Sequence, residues 1–147
     1  FVDALGKAVA RGVEVRVLVD GIGARYSIPP ITRHLVKHGV RVERFLPATV
    51  PLYLPYANLR NHRKIMVVDG GLGFTGGLNI RDGCRLSHHP KHPVRDMHFR
   101  LRGPIVAHLL EVFVDDWSFA AEETLGGPAW KPELTRAGRS IARGIRF

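Results

Sequence analysis

Residues 61–80 read NHRKIMVVDGGLGFTGGLNI, and this stretch decides how the rest of the chain is read. It sets a histidine, a lysine, an aspartate, five glycines and an asparagine around two short apolar runs. His62 and Lys64 are two residues apart, so an extended strand presents both on one face. Asp69 is seven residues from His62, an odd spacing that turns it to the other face. A histidine and a cation on one face, then a glycine-rich turn and an amide, suit chemistry on a phosphate. A ring nitrogen can attack phosphorus and split one hard displacement into two easier ones. Lys64 supplies positive charge to the phosphoryl oxygens, and Asn79 can donate its amide to them. Gly76 and Gly77 let the backbone approach closely. The histidine also needs an acceptor on its other ring nitrogen, which fixes tautomer and orientation. Asp69 is poorly placed for that; Asp96 is the better candidate.

Working outward, Lys64 to Asp69 is expected as a central strand with apolar residues on both faces, as when helices cover both sides. Asp69-Gly70-Gly71 signals a tight turn, and Leu72 to Thr75 an antiparallel return. Upstream, Phe1 to Arg11 reads as a helix with Val2, Leu5 and Val9 on its stripe, stopped by Gly12. Val13 to Asp20 reads as a strand. Pro29 and Pro30 open a helix through about His38, with Ile31, Leu35 and Val36 as its stripe. Val40 to Phe45 is the next strand. A strand–helix–strand succession predicts parallel pairing. The expected fold is therefore α/β, a mixed and mostly parallel sheet flanked by helices on both faces.

Leu46 to Arg60 is rich in proline, leucine and tyrosine and reads as a loop, either packed on the core or lining an acyl-chain groove. Arg81 to Val94 is a polar loop. Its His88, His89 and His92 lack a carboxylate or cysteine at ligand spacing, so no metal or other cofactor is expected. Asp96 to Arg102 is a strand with Met97, Phe99 and Leu101 on one face. Pro104 to about Ala120 is the strongest helix, with Val106, Leu110, Phe113 and Trp117 as its stripe. Beyond Glu123 the pattern dissolves.

The 147 residues suffice for one domain, and 45% hydrophobic content excludes general disorder. A single cysteine excludes an internal disulfide and a cysteine-rich zinc site. The formal charge is +9, from 22 basic and 13 acidic side chains, which favours an anionic partner: a phospholipid surface, nucleic acid or a phosphorylated substrate.

The residues HRKIMVVD followed by GGLN resemble the HKD motif of the phospholipase D superfamily, HxK-x4-D-x6-G(S/G)xN. His62, Lys64, Asp69, Gly76, Gly77 and Asn79 match it in spacing. The wider wording is similar to the first of two motifs in the cardiolipin synthase-like branch. The likeness extends upstream through RGVEVRVLVDGIG and downstream through PVRDMHFRLRGPIVAHLLEVFVDDW. That resemblance implies two α/β halves meeting at one active site, each giving a histidine, a lysine and an asparagine. It implies His62 as nucleophile, Lys64, Gly76, Gly77 and Asn79 at the substrate phosphate, Asp96 orienting His62, and Asp69 as scaffold, with no metal. Only one motif is present. The expectation is a half-domain over 1–123 and a connector over 124–147 towards a second half, supplied in cis or by a homodimer, with the fragment inactive alone. The implied activity is phosphatidyl transfer on a phosphatidylglycerol-type anionic phospholipid at a membrane surface, that of the bacterial inner membrane. The alternatives are a dimeric nuclease or phosphodiesterase acting on nucleic acid, and a non-catalytic phosphate- or membrane-binding module.

Overall fold

The computed structural model describes residues 1–46 and 61–132. The Leu46–Arg60 loop falls almost wholly outside them, as does the end of the expected connector. The chain divides into two compact units, one of residues 1–62 with 114–125 and one of residues 63–113 with 126–147.

In the first unit, α1 (Val2–Ala10) carries Asp3 in its first turn and Lys7 in its last, both favourable to the helix dipole. Gly12, at φ 84°, releases the chain from it. A Cβ at Gly6 would lie 2.8 Å from the Cβ of His38, so this glycine sets how closely α1 approaches the end of α2 (Ile31–Lys37). Strands β1 (Arg16–Asp20) and β2 (Arg41–Phe45) pair in parallel, Arg16 opposite Arg41 through Asp20 opposite Phe45. That is the parallel pair expected across a helical crossover, although β1 begins three residues later than the valine run implied. At its end the Gly23 amide donates to Asp20 Oδ2 (2.9 Å), which turns the chain aside. The stripe of α2 also differs from expectation. Leu35 and Thr32 are buried, whereas Val36 is 62% exposed. Thr32 earns its place by accepting a hydrogen bond from Arg44 (3.2 Å), so its hydroxyl is not stranded.

The long helix α3 (Ile105–Ala121) contributes to both units. Its Trp117 is fully buried in the first. The indole Nε1 donates to Glu123 Oε2 (2.9 Å), and Arg41 grips the same carboxylate with two nitrogens at 2.8 and 3.0 Å. The guanidinium carbons of Arg16 and Arg41 lie 5.7 and 6.0 Å from the indole centroid. Two like charges face each other across a parallel pair; the indole face lies beside both, Glu123 holds Arg41, and Glu14 pairs with Arg16 at 2.8 Å.

The second unit is an antiparallel meander. β3 (Ile65–Val68) pairs with β4 (Leu72–Gly76), Ile65 opposite Thr75, and β4 pairs with β5 (His98–Arg102), Gly76 opposite His98. Asp69 and Gly70, at φ 50° and 65°, make the turn. A Cβ at Gly73 would meet Leu109 and Val106, so α3 lies against the face that carries the odd-numbered residues of β4. Met66 and Val68, on the other face, are 37% and 39% exposed.

Two expectations are thereby corrected. Among the described residues there is one parallel strand pair and there are two antiparallel pairs, in separate sheets, because Asp69-Gly70 folds β3 back and β5 returns beside β4. The mostly parallel sheet is not what these strands form. Nor, among the described residues, is the Met66 and Val68 face of β3 fully covered. Among the described residues, no helix is long and apolar enough to cross a membrane.

Replacing Trp117 by alanine is expected to cost about 3–5 kcal/mol, the range for truncating a buried aromatic. Urea unfolding with tryptophan-independent detection checks this. Glu123→Gln keeps the side-chain shape but removes the charge, and should lower the midpoint measurably less.

Candidate active site

Each motif residue has a definite position. His62 is exposed, in the extended segment before β3, and ends the leading segment of the first unit. Lys64 is half-buried and immediately precedes β3. Asp69 is exposed at the β3–β4 turn, away from the motif's other end, with a left-handed backbone that Asp tolerates better than most residues. Gly76 closes β4, and Gly77 follows it. Asn79 is exposed two residues on, its carbonyl accepting from the Arg81 amide (3.0 Å).

The residues brought together are Gly76, Gly77 and Asp96, while Lys64 directly precedes Ile65, the partner of Thr75. The Gly77 amide donates to the Met97 carbonyl at 2.9 Å, extending the β4–β5 ladder one step. Gly76 sits at φ 154°, and a Cβ there would overlap the Met97 carbonyl oxygen and the His98 Cα. A Cβ at Gly77 would overlap both carboxylate oxygens of Asp96. The two glycines are thus required by different neighbours, the first by backbone and the second by a carboxylate. Asp96 is exposed and lies before β5 rather than opening it; its Oδ1 accepts from the Met97 amide (2.7 Å). That hydrogen bond fixes the carboxylate over the glycine pair.

Two features here carry no signal in local spacing. Asn61 Nδ2 donates to Asp116 Oδ2 of α3 (2.8 Å), tying down the residue next to His62. The partners are 55 positions apart, so no local spacing announces the bond. His98 stands between Met97 and Phe99 in the chain, and only the register shows that it lies opposite Gly76.

A strand entered through His-x-Lys, returning through Gly-Gly-x-Asn beneath an aspartate, places the chain among the phospholipase D-like α/β domains. Residues 1–89 match the family model described as "Cardiolipin synthase, PLD-like domain", and the chain belongs to that family. It is 38% identical over 135 residues to cardiolipin synthase 1 of Bacillus anthracis, covering 91% of this chain and 26% of the relative. It is 42% identical over 114 residues to cardiolipin synthase A of Pseudomonas fluorescens Pf-5, covering 78% and 24%. With the cardiolipin synthase of Halalkalibacterium halodurans it shares 36% identity over 138 residues, covering 90% and 27%. The chain therefore spans about a quarter of the length of these relatives. No solved structure matches it.

Gly76→Ala is expected to destabilise the protein by roughly 2–4 kcal/mol, because overpacking against backbone adds to conformational strain. Gly77→Ala needs only the Asp96 carboxylate to move and should cost much less. Thermal unfolding of the two variants checks the order.

Proposed function

We propose that this chain is one catalytic half of a cardiolipin synthase-type phosphatidyltransferase. The observation that carries the reading is the complete HxK-x4-D-x6-GGxN spacing, His62 to Asn79, with the Asp96 carboxylate seated on Gly77. Residues 1–123 form the half-domain, and 124–147 lead towards a second half, in cis or from a second copy. Without that half the site is incomplete and the fragment is inactive. The membership of the family and the +9 charge support an anionic glycerophospholipid of the phosphatidylglycerol type, taken from the surface of the bacterial inner membrane.

The chemistry runs in two displacements. A ring nitrogen of His62 attacks phosphorus; the P–N bond forms as the P–O bond to the leaving glycerol breaks, and a histidine of the other half gives that glycerol a proton. The acceptor hydroxyl then loses its proton to the same histidine and attacks phosphorus, and the P–N bond breaks. Lys64 and Asn79 hold the non-bridging oxygens, where negative charge gathers. The close backbone at Gly76 and Gly77 shapes the seat. Asp96 accepts from the other nitrogen of His62, holding the tautomer that leaves the attacking nitrogen unprotonated. Asp69 serves the turn, not the reaction. No metal is needed, since a histidine supplies the nucleophile.

In the protein that carries this chain, His62→Ala is expected to cut conversion of phosphatidylglycerol vesicles to cardiolipin by at least about a thousandfold, the scale of losing a nucleophile. Rapid acid-free quenching should trap a phosphoenzyme in the wild type and none in His62→Ala. Full turnover by the variant sinks the reading. Cleavage of a nucleic acid with no action on lipid replaces it with the dimeric nuclease.

A further inference from the structure

Gly76 is flanked in register by two residues on the same face of the second unit's sheet. His98 pairs with it directly on β5. Continuing the β3–β4 register by one residue, from Ile65 opposite Thr75, sets Lys64 opposite Gly76 on the other side. All three belong to the face away from α3, since Gly73, three residues from Gly76, meets that helix. Lys64, Gly76 and His98 therefore make a row across three strands whose middle member has no side chain. That middle position cannot acquire one, because Met97 and His98 backbone atoms occupy the space of its Cβ.

The dimensions suit an anion. Neighbouring strands lie about 4.8 Å apart, so Lys64 and His98 start about 10 Å apart across the glycine. A lysine and an imidazole reaching inwards from that separation close on a group of phosphate size, each at hydrogen-bonding distance. The His98 ring lies close beside the glycine: its Nδ1 is 3.0 Å from where the Gly76 Cβ would be. His98 is exposed, so the ring is accessible to a ligand from solvent or from a lipid surface.

We infer that His98 is a further phosphate-contacting residue, donating a ring N–H to the same phosphodiester that Lys64 holds, with Gly76 as the floor between them. The inference rests on the proposed phosphodiester chemistry for its substrate class, but it concerns a different residue from the nucleophile. It assigns β5 a part in the site beyond supplying Asp96. Arg100 and Arg102, on the same face further along β5, keep the approach to this notch positive.

The test separates this from the wider reading. Inorganic phosphate, and then the soluble diester glycerophosphoglycerol, are titrated into the protein with its histidine rings labelled for NMR. His98 ring signals should shift saturably. Affinity should fall about ten- to a hundredfold in His98→Ala, as for loss of a hydrogen bond to a charged group. His98→Gln, which retains an N–H donor, should recover part of it, and both variants should unfold at the wild-type temperature. Unchanged affinity in folded His98→Ala, or a loss matched by a fall in unfolding temperature, overturns the inference. Binding that depends on Lys64 and His98 in a protein with no turnover of phosphatidylglycerol upholds the notch and overturns the enzymatic reading. Turnover that requires His62 while phosphate affinity ignores His98 does the reverse.

Discussion

The close passage of residues 96–98 over Gly76 and Gly77 is the constraint on which the site depends. Three neighbours claim the space of two missing side chains: the Met97 carbonyl, the His98 Cα and the Asp96 carboxylate. Because they do, β4 and β5 can run in register to their last residues, and the Gly77 amide finds a carbonyl at 2.9 Å. A side chain at Gly76 would push the strands apart there, and one at Gly77 would displace the Asp96 carboxylate. The hairpin behind them, turned by Asp69 and Gly70, then fixes the register that carries Lys64, just before β3, towards Gly76. Sheet register here determines chemistry, since a slip of one residue would carry Lys64 to the face that α3 covers.

Much of this was legible in the chain itself. The helices announce themselves through period and punctuation: Gly12 after α1, Pro30 before α2, Pro104 before α3. The Asp69-Gly70 hairpin is a local signal of the strongest kind, and the parallel pairing of β1 with β2 follows from the helix between them. What local pattern misses is contact at long range. Val36 looks as apolar as Leu35, yet Thr32 is the buried one, because Arg44 reaches it from β2. The apolar face of Met66 and Val68 suggested a helix on each side of β3, but periodicity shows only which residues share a face, not what covers it.

The motif residues were legible for another reason: their spacing is itself the signal. His62, Lys64, Gly76, Gly77 and Asn79 could be picked out without any structure. The placement of Asp96 against Gly77 could not, nor could the bond from Asn61 to Asp116, because both join residues separated by 19 positions or more in the chain. Family membership and geometry then answer different questions. The matches to cardiolipin synthases say what kind of domain this is; the glycine contacts say why its residues must be these.

The clamp on Trp117 bears on the order in which the chain becomes structured. The first unit is discontinuous, with residues 1–62 completed by 114–125. Its two strands bring Arg16 and Arg41 side by side; Glu14 is at hand for Arg16, but the Glu123 that holds Arg41 arrives 82 residues after it. During synthesis β1 and β2 therefore emerge with Ala24, Leu35 and Val40 but without Trp117, and the whole second sheet is made before that residue arrives. The early segment must wait on a long-range closure of the kind that slows folding. The amino-terminal unit closes only after every strand of the second sheet has been made.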